Sequence, residues 1–402
     1  ESFPESKGKS REDINVKSVN KESSKRYIVS AIVAGQKVHE PFVDSMINYC
    51  NKNNAELILL VMRGVKKDDT FSNEVYDKYQ NFFHTEFIFN NNLKALDFLL
   101  SPQQLISLTG LDRIARSNSV IIAHTKQQIL SIANHINEYP HLMYSTGVCT
   151  LPNYSDDRIG HIAMQDHAIA GLVVEVVDRT KFHIRNFQAD KTGSFVDLGF
   201  KYSASKVEKV NCDIVLGDLH VGDSCPEAIR QAKEIITQLG CKNIYFNDLF
   251  DGGSVNYHEK DSIYAKYNRP AHQQTLENEL NYLGNFLKEF TKGIEDRNFI
   301  VVASNHDKFV DKWLTKGEFV FDCPKNAKLG AELFTHYLDG ENPIEYFLRS
   351  RNYISKNMKT TFAGLNDNLE SYDYSIIHGH LGANGGAASI KSFDKCYDKN
   401  VS

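Results

Sequence analysis

The sequence predicts an α/β fold in two parts: an N-terminal α/β domain followed by a second α/β domain that carries the chemistry. Three observations support this. From Tyr27 onward, short apolar runs alternate with segments at helical spacing, the pattern of strand–helix–strand units. Four runs past residue 210 end at once in groups able to bind metals, namely Ile214–His220, Ile244–Asp251, Ile300–Asp307 and Ile376–His380. In open α/β sheets, ligands bind outside the carboxyl ends of the strands, so such tips side by side converge on one polar pocket.

Bulk properties fit this reading. Of 402 residues, 41% are hydrophobic and 24% charged, enough for packed cores in two or three domains. The net charge of −5 gives no overall basic field for nucleic acid, although a local basic patch is compatible with it. No apolar stretch approaches the roughly 18 residues of a membrane helix. The first 26 residues hold seven Lys/Arg and five Asp/Glu, unlike a secretory signal. A cytoplasmic protein without a membrane partner is expected. The seven cysteines are scattered, with no CxxC pair, so free thiols in a reducing compartment fit and cysteine-held zinc does not.

Residues 1–25 read as a flexible polar tail. Gly8-Lys9-Ser10 ends like a phosphate-binding loop, but Phe3 occupies the place of the required glycine and no strand precedes it. In the first domain (26–208), strands are expected at Tyr27–Ala34, Ala55–Met62, Val120–Ala123, Leu142–Tyr144 and Gly171–Val177. Helices are expected at Pro41–Cys50 and Gln127–His135, and Thr109–Arg113 reads as a turn before a capped helix start. His124, His161, His167 and His183 lack ligand spacing, so a structural or assembly role is expected here.

The second domain (209–402) opens with the first apolar run and the helix Pro226–Leu239, stopped by Gly240. Strand Asn243–Phe246 follows, and this order implies a right-handed crossover between parallel neighbours. Next come helix Leu276–Phe290, strand Asn298–Ala303, a helical and irregular excursion from Lys308 to Tyr372, and Tyr374–Ile377 as fourth strand.

Asp218 and His220 are two apart, so on a strand end both face one side and can grip one divalent ion. Asp248 ends the neighbouring strand and has two oxygens with which to bridge two ions. Asn305 and His378 can serve the second, while His306 faces substrate. Oxygen and nitrogen donors without sulfur favour Mn, Fe or Zn over Ca. Two ions about 3.5–4 Å apart suit phosphate-ester hydrolysis, with His306 as general acid toward the leaving oxygen. His336 is a rival fourth ligand within a helical pattern, and His258 and His272 read as loop residues.

Asp218-Leu219-His220, Asn247-Asp248-Leu249-Phe250-Asp251, Ser304-Asn305-His306-Asp307 and His378 together resemble, in order, the motifs of the calcineurin-like metallophosphoesterase superfamily. The resemblance implies a four-layer αββα domain. It also implies that Asp218, His220, Asp248, Asn305 and His378 are metal ligands, with His306 at the scissile bond and Asp251 behind the ligands. Asn247 and Ser304 stand where the superfamily has glycine. His378-Gly379-His380 does not complete a G-H-x-H motif, so the last ligands are expected beyond Ser402 and His380 is expected to touch substrate.

Asp248-Leu249-Phe250-Asp251 is similar to the double-strand-break nuclease branch. The stretch from His378 to Gly385, with the N-terminal region, resembles early host-DNA-degrading deoxyribonucleases of large tailed phages. That implies manganese as the metal, DNA as substrate, the host cytoplasm as location and a homo-oligomer. The basic stretch around Lys260 and Arg269, with Tyr264 and Tyr267, could follow a strand by phosphate contacts and stacking. A nucleotide phosphodiesterase or phosphatase, and a non-catalytic scaffold on the same fold, are the competing readings.

Overall fold

The computed structural model describes residues 9–10, 25–65, 68–116, 118–133, 135, 141–259, 261–364, 367–372, 374–379 and 400–401. It divides into two compact units, Glu1–Val210 and Asn211–Ser402.

The first unit opens with β1 (Lys9–Ser10), β2 (Arg26–Val33), α1 (Glu40–Asn53), β3 (Glu56–Met62), β4 (Thr70–Phe71), α2 (Asn73–Tyr79) and β5 (Phe83–His84). It continues with β6 (Glu86–Asn90), β7 (Leu93–Leu96), β8 (Ser119–Ile122), β9 (Ile129–Ile132), β10 (His141–Ser145) and α3 (Arg158–Gln165). It closes with β11 (Ala170–Val176), β12 (Phe182–Gln188), β13 (Phe195–Asp197), β14 (Phe200–Tyr202) and β15 (Val207–Lys209). Two five-stranded mixed sheets result, in the orders β12-β11-β2-β3-β5 and β6-β7-β8-β10-β9.

β2 is apolar on both faces because both are covered. Ile28 and Ile32 face α1 with Phe42, Met46 and Tyr49. Tyr27, Val29, Ala31 and Val33 meet Phe87, Ile121 and Tyr144 of the second sheet, the two-residue alternation a strand imposes. Helix α1 starts where His39 Nδ1 accepts the Phe42 N–H at 3.2 Å, and it ends at Asn54 with φ 48°.

Two expectations for this unit are corrected. Lys9–Ser10 is not free tail: it pairs antiparallel with Thr70–Phe71. The helix expected from Gln127 is replaced by a strand, because Ile129–Ile132 pairs antiparallel with β10. The Gln127 amide donates to the Gly171 carbonyl at 3.0 Å and the Gln128 N–H to Ser145 Oγ at 2.8 Å. These long-range contacts outweigh a short, ambiguous local pattern.

The second unit runs β16 (Ile214–Asp218), α4 (Pro226–Leu239), β17 (Asn243–Asn247), α5 (Ile263–Asn268), α6 (Leu276–Thr291) and β18 (Asn298–Val301). Then follow α7 (Asp307–Thr315), α8 (Pro324–Leu338), α9 (Pro343–Ser350), β19 (Lys359–Phe362), β20 (Leu369–Ser371), β21 (Tyr374–Ile376) and β22 (Asn400–Val401). The strands β16-β17-β18-β19 form one parallel sheet. Its core packs against α6, where Leu276, Leu280, Leu283 and Leu287 are buried at helical spacing, each contributing about 1.5–3 kcal/mol. Thr275 caps α6 by accepting the Asn278 N–H at 3.2 Å.

The expected fourth strand is also corrected. β19, from the polar segment Lys359–Phe362, completes the parallel sheet. Tyr374–Ile376 belongs instead to a three-stranded sheet, β20-β21-β22, which packs on the first through Tyr245, Val302 and Ile376. Among the described residues, no helix is long and apolar enough to cross a membrane.

Candidate metal centre

The tips of β16 and β17 run on side by side beyond the sheet. Leu219 N–H donates to the Asn247 carbonyl at 3.1 Å, and His220 N–H to the Asp248 carbonyl at 2.8 Å. Both tips turn sharply, with φ 40° at His220 and 41° at Asp248. Such left-handed geometry in residues other than glycine costs about 1–3 kcal/mol each and concentrates at functional sites. Gly222, with φ 121°, completes the first turn. A Cβ there would come within 2.3 Å of His272 Nε2.

Asn247, in place of glycine, donates its side-chain amide to the Leu216 carbonyl at 3.0 Å and ties the two tips together. Ser304, the other replacement, starts α7: its hydroxyl accepts the His306 and Asp307 N–H groups at 3.2 and 3.3 Å. Asp307 returns the favour, accepting the Ser304 N–H at 3.0 Å. Burial pushes the Asp307 carboxyl up to about 7, against the Ser304 hydrogen bond and with help from the nearby Asp248 charge.

The side chains cluster around Asp248. Candidate ligand atoms of Asp218, Asp248 and His378 all lie within 4.8 Å of one another, as do those of His220, Asp251 and His306. Asp248 Oδ2 joins the two groups, 3.6 Å from His220 Nε2 and 3.2 Å from His378 Nε2. The His378 Nε2 is also 2.8 Å from Asn305 Oδ1. Asp248 is 3% exposed, and its Oδ1 is buried with no hydrogen-bond partner. A buried carboxylate oxygen left in this state carries a desolvation cost that a cation would offset. The donor set therefore fits divalent ions, with oxygen and imidazole donors and no sulfur.

Asp251 stands behind this cluster. Its Oδ1 accepts from His220 Nδ1 at 3.0 Å and its Oδ2 from the Gln273 amide at 2.6 Å. With both oxygens engaged, Asp251 orients His220 rather than offering itself to a cation. Its backbone carbonyl accepts from His306 Nδ1. The next turn is held by Glu279 of α6, whose carboxylate accepts the Gly253 and Ser254 N–H groups, both at 3.0 Å. Burial pushes the Glu279 carboxyl up, with these bonds opposing. Sequence reasoning missed Gln273 and Glu279, which sit in segments without motif spacing.

Other candidates are not among the clustered ligand atoms. His336 stacks on Tyr346 at 3.4 Å and pairs with Glu341 at 2.7 Å on the α8 surface. His258 packs on Tyr257, and His272 stacks on Tyr282. Arg269, half-buried after α5, donates to the Ser254 carbonyl at 3.1 Å. Lys260 and His380 lie outside the described residues.

Over 415 aligned residues the chain is 24% identical to Protein A1 of Escherichia phage T5, covering 92% of this chain and 72% of that protein. No family model matches the chain, and no solved structure matches it.

Proposed function

We propose that this chain is a phage-encoded deoxyribonuclease that hydrolyses DNA phosphodiesters with two divalent ions, manganese foremost. The position of Asp248 carries the reading: one carboxylate oxygen sits between His220 and His378 while the other is buried and unpartnered. Asp218, His220, Asn305 and His378 would hold the ions with Asp248 shared between them, Asp218 grouping with His378 rather than with His220 as its spacing suggested. When bound, such a pair neutralises phosphate oxygens and acidifies a water molecule as nucleophile.

The protein's own groups do the positioning. Asp251 accepts the Nδ1 proton of His220, leaving Nε2 as the lone-pair donor facing Asp248. The Asp251 carbonyl likewise holds the Nδ1 proton of His306, so the proton that an imidazolium hands to the leaving oxygen comes from Nε2. His306 packs edge-on to His220 at 4.6 Å, which keeps this acid beside the ligands. Similarity to a phage protein over most of the chain and the resemblance of the four motifs support DNA as the substrate.

The test is cleavage of plasmid DNA by the purified chain in manganese, with Asp248→Asn as control. Loss of cleavage in the variant is expected; DNA left intact by the unmodified protein at high protein and metal concentration overturns the reading. A second reading, a phosphodiesterase for small nucleotides, is favoured by the net charge of −5. Turnover of a chromogenic diester with intact DNA would select it.

A further inference from the structure

Beside the candidate centre lies a cleft of about 450 Å³, whose lining includes Tyr257, Lys266, Arg269, Trp313, Lys316 and Phe321. That volume suits a ligand of nucleotide size. The cleft adjoins His306 through two ring contacts: His306 to Phe309 at 4.9 Å, and Phe309 to Tyr257 at 5.3 Å. Lys312 Nζ sits 3.9 Å over the Tyr257 ring and Lys316 Nζ 5.6 Å from it, which adds positive charge on this side.

Two acids also line the cleft, Glu318 and Asp322. The Asp322 carboxylate is engaged, accepting the Cys323 N–H at 2.7 Å and the Asn326 amide at 2.9 Å. Lys266, Arg269 and Lys316 against these two acids leave the lining net cationic, in a chain whose net charge is −5. Phe321 is 92% exposed, and on α5 Tyr264 and Tyr267 are 81% and 86% exposed. Exposed rings next to lysine and arginine are the components of a single-strand binding groove, where bases stack and phosphates pair.

We propose that this cleft holds an unpaired nucleotide of the DNA strand whose neighbouring phosphodiester lies at His306. Phe321 supplies the stacking face, and Lys266, Arg269 and Lys316 meet the phosphates. A free base face is needed for that stacking, and a duplex hides its base faces, so the cleft selects single-stranded or frayed DNA. The inference rests on the hydrolase reading for its substrate class, but its test is a binding measurement.

Fluorescence anisotropy of a labelled twelve-residue oligothymidylate, with the full chain in EDTA, reads the cleft without cleavage. Phe321→Ala should weaken binding about tenfold, within the range for losing one stacked base. Lys266→Ala with Lys316→Ala should lower the salt slope of log affinity by about 1.4, the share of two phosphate contacts on a single strand. These side chains are exposed, and a circular dichroism melt checks that the variants fold. Equal affinity of all variants, or equal affinity for a blunt duplex, overturns the proposal. Tighter binding of oligouridylate overturns DNA as its occupant.

Turnover of a chromogenic diester by the unmodified chain separates the two claims. If turnover occurs and the variants bind like the original, the cleft fails and the hydrolase stands. If turnover and plasmid cleavage are both absent while the variants lose affinity, the hydrolase fails and the cleft stands.

Discussion

His220 and Asp251 are joined through imidazole Nδ1 at 3.0 Å, and this contact turns the other ring nitrogen of His220 toward Asp248. Asp251 is thus a positioning residue. Asp251→Ala should weaken manganese binding about 10–100-fold, the usual effect of losing a carboxylate behind a ligating histidine. Titration calorimetry on the full chain measures it. Unchanged affinity would remove Asp251 from the centre.

Gly222 sets the exit from the first ligand turn. Its φ of 121° is disfavoured for any side chain, and a Cβ would meet the His272 ring at 2.3 Å. Gly222→Ala should therefore shift the His220 turn and lower manganese affinity, whereas the exposed Gly340→Ala on the α8–α9 connection should leave it alone. Equal affinities in the two variants would show that the turn is not held by this packing.

Glu279 satisfies two buried N–H groups at once. Glu279→Ala strands both, and should cost about 2–4 kcal/mol of stability. The chain has one tryptophan, Trp313, buried in the second unit's core. Urea unfolding followed by its fluorescence reads that unit directly; a midpoint equal to that of the unmodified chain would contradict the clamp.

In the first unit, burial pushes His124 down to about 4 from an ordinary value of 6.5. Its Nδ1 accepts the Lys126 N–H at 3.0 Å, so the neutral ring is the folded form. Between pH 6.5 and 4 the unfolded chain binds the proton and the folded one does not, so stability falls as pH falls through this window. The shift corresponds to about 3 kcal/mol. Urea midpoints by far-ultraviolet circular dichroism at pH 7 and 4.5 should differ less in His124→Asn than in the unmodified chain: the variant should lose less stability on acidification. An equal loss in both would rule out His124 as the source.

Much of the site could be read from the sequence because its ligands end apolar strands. Ile214–Asp218 and Asn243–Asn247 are short, mostly apolar strands closed by a carboxylate and a carboxamide, and Asn298–Val301 ends four residues before Asn305, so both the period and the chemistry are local. β19 escaped because Lys359-Thr360-Thr361-Phe362 is polar and alternates at the sheet edge, which resembles a loop in isolation. β9 was mistaken for helix because it too is an edge strand, exposed at three of its four residues. Gln273 and Glu279 could not be found by spacing: one reaches Asp251 across 22 residues and the other Gly253 across 26. Asn247 and Ser304 show why glycine is dispensable at those tips. The Asn247 side chain ties its tip to the neighbouring strand, and that of Ser304 fixes its own turn.

His378 follows β21 of the small sheet, while Asp218 ends, and Asp248 and Asn305 follow, strands of the parallel sheet. A cation gripped by both sets would act as a rivet between the two sheets, and its binding free energy would add to the stability of their packing. Chelation should then loosen the Leu369–Ile376 hairpin first, so that amide exchange there rises before the leucine-rich core of α6 responds.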